Sequence, residues 1–226
     1  MVVDRILENY FNLAVMAQAL PTVFDGFLVT VQVALSVIAI GIGAGLALAL
    51  LRCAENPVLN GVISLYVEVF RTLPQLVILI FIFFGLPYMG IRFSPFLAVA
   101  VGLGAVLSAF AAETFWAAIN ALPKGQWEAS AALGMSRMKC LFYIILPQAI
   151  RLATPLITNR AIAITKGTAL GVAVSLQETL GSAQSVMAIL ANPSPLTLAA
   201  GFYLLFFIPL VIASRIIENR MAKTTG

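Results

Sequence analysis

From Gly26 to Leu51 the chain carries no Asp, Glu, Lys or Arg. A bilayer core takes about twenty apolar residues per helix, so this one segment is long enough to cross it. Similar stretches recur along the chain. With 62% of residues hydrophobic and only 10% charged, the chain cannot build a polar surface, since a soluble domain is about one quarter charged. The outer solvent must be lipid, and the length suits one integral membrane domain, residues 1–226.

Five spans are expected. The first is Gly26 to Leu51, flanked by Asp25 and by Arg52 and Glu55. The second runs from Leu73 to Tyr88, after an amphipathic approach, Leu59 to Phe70, that carries Glu68 and ends beside Arg71. Phe96 to Leu122 is the third, stopped by Pro123. The fourth, Leu152 to Leu176, is expected to break near Lys166-Gly167, and the fifth is Leu196 to Ser214. Met1 to Phe24 reads as an interfacial helix ending near Pro21, with Asp4, Arg5, Glu8 and Asn9 near its start. The first span is too long and begins too late for a cleaved signal peptide.

Five spans put the termini on opposite sides, and the basic residues choose between the two orientations. With the C-terminus inside, the inner segments hold Arg52, Lys124, Arg137, Lys139, Arg151, Arg215, Arg220 and Lys223. The outer ones keep Arg5 and Arg92. The expectation is therefore an all-α membrane protein with its N-terminus outside and its C-terminus cytoplasmic.

Several function classes drop out. There is no histidine, hence neither the commonest metal ligand nor the usual general base. No GxxxxGK[ST] phosphate loop occurs. The basic residues form no dense run, which excludes a nucleic-acid partner. Cys53 and Cys140 are read as packed, inert thiols on the cytoplasmic side. Gly41-Ile42-Gly43-Ala44-Gly45 permits close helix approach, either within this chain or across a dimer seam.

Between the third and fourth spans lies a small-residue, polar segment. Lys124 to Leu133 can form a short helix after Pro123, because Glu128, Ala129, Ala131 and Ala132 are strong helix formers. Gly134 falls where a left-handed turn would close that helix. Ser136 can cap a second one from Arg137. Two short helices at a sharp angle make a knuckle suited to a groove on a rigid partner.

Gly125-Gln126-x-Glu128-Ala129, Ala132-Leu133-Gly134, Ile145-Leu146-Pro147-Gln148-Ala149 and Pro155 occur in an order that resembles the EAA loop of ATP-binding-cassette importer permeases, in particular those for polar amino acids (histidine, glutamine, arginine and opines). Phe70-Arg71-Thr72-Leu73-Pro74 resembles that family's Phe-Arg-Gly-Thr-Pro. Gly85-Leu86-Pro87 resembles its turn, and Asn159 with Lys166-Gly167-Thr168-Ala169-Leu170 its Asn and Lys-Asp-Thr-Ser-Leu. The resemblance covers residues 20 to 215. It implies the type I importer permease fold, with residues 123–151 as the cytoplasmic loop that docks on the partner ATPase through Glu128, Ala129, Ala132, Gly134 and Pro147. It also implies a second permease, the same chain or a homologue, an extracytoplasmic solute-binding protein and a small-molecule substrate. ATP and Mg are then held by the ATPase, with no cofactor on this chain and no catalytic residue. Where the family commonly has Tyr-x-x-Glu-x-x-Arg, this chain has Phe110, Glu113 and Trp116, and the arginine is missing.

Charged residues inside a bilayer should face the protein interior or a water-filled path. Glu113 shares a helical stripe with Phe110, Trp116 and Asn120, while Asn159 and Lys166, seven apart, share a face of the fourth span. The expected substrate path is Glu113, Trp116, Asn159, Lys166 and Thr168, with Glu113 pairing to Lys166 when the site is empty. A structural ion pair away from substrate is the other reading of Glu113. The function expected is the membrane-spanning subunit of an ABC importer in a bacterial inner membrane. The runner-up is a membrane enzyme or assembly factor without transport activity, which the missing catalytic groups disfavour.

Overall fold

In the second helix one stripe meets the rest of the protein: Ala19, Val23, Gly26, Thr30, Val33, Val37, Gly41, Gly45 and Ala49 are all buried. Their spacing of three or four residues is the helical period, and the opposite side is free to meet lipid. The computed structural model describes residues 2–222, all helical or connecting, with side chains placed at 5–219 and 221. Met1 and Lys223, used in the reading above, lie outside the described residues.

The order is α1 (Val2–Tyr10), α2 (Leu13–Arg52), α3 (Pro57–Thr72), α4 (Gln75–Ile80), α5 (Pro95–Ala121), α6 (Lys124–Ala132), α7 (Arg137–Cys140), α8 (Leu146–Thr165), α9 (Thr179–Leu190) and α10 (Ser194–Ala222). Four stretches are long and apolar enough to cross a bilayer. The fifth candidate is the pair Pro57–Thr72 and Gln75–Met89, bent by 109° at Leu73-Pro74. The bend follows from proline chemistry, because Pro74 forces Leu73 into an extended conformation (ψ 137°).

α5 is the central post, buried along nearly its whole length. Its approach to α2 uses missing side chains. A Cβ on Gly41 would lie 2.5 Å from Leu107 Cγ, one on Gly45 2.5 Å from Ala111 Cβ, and one on Gly104 2.8 Å from Ile40 Cγ2. The small-residue run of the first span is thus a seam within the chain.

One expectation about the elements needs correction. The N-terminal helix does not extend to Pro21. It stops at Tyr10, Asn12 caps α2 through Ala14 N and Val15 N, and Pro21 lies inside α2. Within the segment 123–151, α7 runs through a π turn (Leu141–Ile145) directly into α8. The break expected near Lys166-Gly167 is present: the α-helix ends at Thr165 and the span tightens into a 3-10 helix, Lys166–Val174, that ends at Ser175, where φ is 62°.

Both π turns precede a Leu-Pro pair. Phe81–Gly85 comes just before Leu86-Pro87 and Leu141–Ile145 just before Leu146-Pro147. Proline donates no hydrogen bond and pushes on the carbonyl four residues back. The turn widens instead, with Leu86 N bonded to Phe81 O and Leu146 N to Leu141 O.

Candidate functional site

The knuckle between α5 and α8 is built as its residues dictate. α6 closes in a left-handed turn at Gly134 (φ +78°). Gly134 N donates to Ala131 O (2.9 Å) and Met135 N to Ser130 O (3.0 Å), the two bonds that satisfy the end of a helix terminated by glycine. Ser136 Oγ then accepts from Lys139 N and starts α7. Two braces hold the knuckle to the bundle. Gln126 and Gln148 pair amide to amide, at 3.1 and 2.7 Å. Arg137 grips Glu55 through both guanidinium nitrogens, which holds the Glu55 carboxyl below the usual carboxylate range.

The outward surface of the knuckle is what a partner would meet. Glu128, Ala129, Ala132, Gly134 and Pro147 are all exposed. Leu133 is 82% and Met138 59% exposed at its tip, an apolar point on a polar collar that the motif reading had not singled out.

Deeper in the bundle, Glu113 pairs with Arg52 of α2 at 2.9 Å, not with Lys166. The Arg52 guanidinium lies 3.9 Å over the Trp116 ring. A guanidinium missing from the third span is thus supplied from the end of the first, a long-range pairing that spacing along one helix could not reveal.

Beside this pair opens a cavity of about 440 Å³ lined by Arg71, Phe110, Glu113, Thr114, Asn159 and Arg160, among others. Arg71 and Arg160 both face the Phe110 ring, at 5.3 and 4.7 Å, as cations do over an aromatic face. The structure therefore brings Glu113 and Asn159 together and leaves Lys166 and Thr168 elsewhere. Asn159 accepts from Ser214 Oγ (2.8 Å) and donates to Glu218 of α10. The Lys166 ammonium is exposed, 5.8 Å from the Phe207 ring. Thr168 is fully buried with no hydrogen-bond partner for its hydroxyl. A Cβ on Gly167 would overlap the Gln75 side-chain oxygen, so the missing side chain admits the α4 amide.

Sequence reasoning missed Glu178. It is fully buried and caps α9 by accepting from Leu180 N and Gly181 N, both at 2.9 Å. Its other oxygen accepts from Thr30 Oγ1 (3.2 Å) and from the Tyr203 hydroxyl, tying α2, α9 and α10 together. An acidic residue just ahead of a small-residue helix is a legible cap. Its partners 148 and 25 residues away are not.

Residues 38–223 match the family of binding-protein-dependent transport system inner membrane components. The chain belongs to this family. Among its members, the probable glutamine ABC transporter permease of Bacillus subtilis is 36% identical over 201 residues, 87% of this chain and 92% of that protein. The L-cystine transport system permease of the same organism is 33% identical, over 77% of this chain and 76% of that one. The crystal structure of an amino acid ABC transporter with histidines superposes with a TM-score of 0.81 at 28% identity, covering 91% of this chain and 96% of that chain. The motif resemblance and these relatives agree: the chain is a multi-pass ABC transporter permease, a transport subunit and not an enzyme.

Proposed function

We propose that this permease carries polar amino acids or related compounds such as opines through a bacterial inner membrane, driven by ATP bound with Mg on partner subunits. In this reading the N-terminus is outside and the knuckle cytoplasmic, with Glu128, Ala129, Ala132, Gly134 and Pro147 on the ATPase. A second permease, the same chain or a homologue, completes the membrane unit, and a solute-binding protein delivers the ligand from outside. Relatives named for glutamine and L-cystine support the substrate class.

The observation that carries the reading is the cavity around Phe110. Two guanidiniums, Arg71 and Arg160, and one carboxylate, Glu113, converge on it. That set matches a ligand holding a carboxylate and an ammonium, while Phe110 offers an apolar wall. Trp116 backs the site through Arg52. Lys166 and Thr168 would serve the path from its α10 side.

The test is uptake by the reconstituted complex. Arg160→Gln should raise KM for the transported amino acid about tenfold, the cost of one charged hydrogen bond, with basal ATPase activity kept. Unchanged uptake kinetics would remove this cavity from the path.

A further inference from the structure

A second cavity, of about 610 Å³, lies between the knuckle and the bundle. Its walls are the end of α2, the start of α3, the end of α5 and the inner faces of α6 and α7. It is separate from the Phe110 cavity: of the lining residues of the two, none is shared.

Two buried polar atoms without partners belong to residues that line it. Arg52 is nine-tenths buried, with a side-chain exposure of 10%. Its terminal nitrogen holds Glu113, but its Nε–H has no acceptor. Asn60 Oδ1 is likewise buried and receives no donor. Such groups cost free energy unless something else satisfies them. One is a donor and the other an acceptor. Around them stand the indoles of Trp116 and Trp127, the Lys124 ammonium and the Glu128 carboxylate, with the Glu55–Arg137 pair among the other lining residues.

We propose that this cavity is a binding site for a free α-amino acid, reporting cargo already delivered. The ligand carboxylate accepts from Arg52 Nε and meets Lys124. Its ammonium donates to Asn60 Oδ1, and its side chain lies against the two indoles. The roomy, aromatic walls tolerate different side chains, while the polar atoms recognise only the part all amino acids share. A bound ligand ties α2, α3 and α5 to the knuckle, which holds the knuckle in one position and slows the transport cycle. This rests on the proposed cytoplasmic placement of the knuckle and on an amino-acid cargo.

The complete transporter, reconstituted in proteoliposomes with its binding protein outside, decides the matter with L-glutamine, L-histidine and L-arginine as probes. Uptake into empty vesicles tests the transport reading by itself. Preloading the vesicles with the transported probe should slow uptake several-fold in the wild type. Asn60→Leu should take up the probe into empty vesicles normally and weaken this internal inhibition about tenfold, the worth of one hydrogen bond to a charged group. The same inhibition in Asn60→Leu would place its cause in the transport path and overturn the proposal.

Cys53, half-buried in the cavity wall, gives a readout that needs no variant. In the detergent-solubilised complex the probes should slow its alkylation by a small maleimide, mapped by mass spectrometry. Alkylation unaffected by all three probes would overturn the site even if uptake is normal. Protection without any uptake into empty vesicles would instead uphold the site and refute the transport reading.

Discussion

Arg52 and Glu113 sit on different helices, sixty-one positions apart, and meet at 2.9 Å. The pair neutralises the one carboxylate of α5 and joins the two cavities, since Arg52 lines the cavity at the knuckle and Glu113 the one beside Phe110. Removing one member strands the other. Arg52→Met should destabilise the folded permease by about 2 kcal/mol, below the usual 3–5 for a fully buried pair because Glu113 is 37% exposed. Arg52→Met with Glu113→Gln should recover most of that loss in a double-mutant cycle of thermal unfolding. Additive losses would mean the two residues do not interact.

The knuckle should uncouple without unfolding. Nothing lies within 4 Å of a Cβ placed on Gly134, but its φ of +78° penalises any L-residue. Gly134→Ala should therefore cost about 1 kcal/mol, while Gly134→Trp adds a bulk that meets only the partner. Gly134→Trp and Glu128→Arg should insert normally and lose both transport and substrate-stimulated ATP hydrolysis. An assembled Gly134→Trp complex with full stimulation would refute the docking surface.

Glu178 should prove a structural residue. Glu178→Ala loses a helix cap, leaves Tyr203 without its acceptor and takes one of the partners of Thr30, a loss of about 3 kcal/mol. Tyr203→Phe removes one hydrogen bond and should cost about 1 kcal/mol. Both should lower the unfolding temperature while leaving KM of the surviving complex unchanged. A shifted KM with normal stability would put Glu178 in the path.

Cys53 reports both sidedness and burial. Desolvation pushes its thiol above the ordinary range, more than Arg137 and Arg52 pull it down. Its alkylation should therefore be slow at neutral pH and accelerate as the medium turns alkaline, and should occur only from the cytoplasmic side. Labelling by an impermeant maleimide in intact spheroplasts would reverse the orientation. The Glu55–Arg137 brace has the opposite pH sense. Glu55 titrates below its unfolded range, so the pair contributes fully above that range and is lost as pH falls through the folded value.

What was legible in the sequence was local. Four of the five spans, the Gly134 turn and the Ser136 cap depend on neighbours within one helical turn and stand in the structure, while the second span is present only as a helix pair bent by 109°. The Pro21 stop did not appear, because a long packed helix tolerates one missing donor, whereas the break near Lys166-Gly167 stands as the change from α8 to a 3-10 helix. The partner of Glu113 was misassigned for a related reason. Periodicity places residues on faces of one helix, whereas Arg52 arrives from another. Arg160 was counted toward no site, although it completes the cavity beside Phe110.

α2 has forty residues, about 60 Å at 1.5 Å per residue, against a hydrocarbon core of about 30 Å. Much of the rod must therefore stand clear of the lipid, and its far end carries Arg52. A tilt of only 5° swings that end by about 5 Å. The opposite rim, where Asn12 and Ser194 join α2 to α10, is thus mechanically geared to both cavities. A push at one end of this single lever arrives at the other with no signal passed from residue to residue.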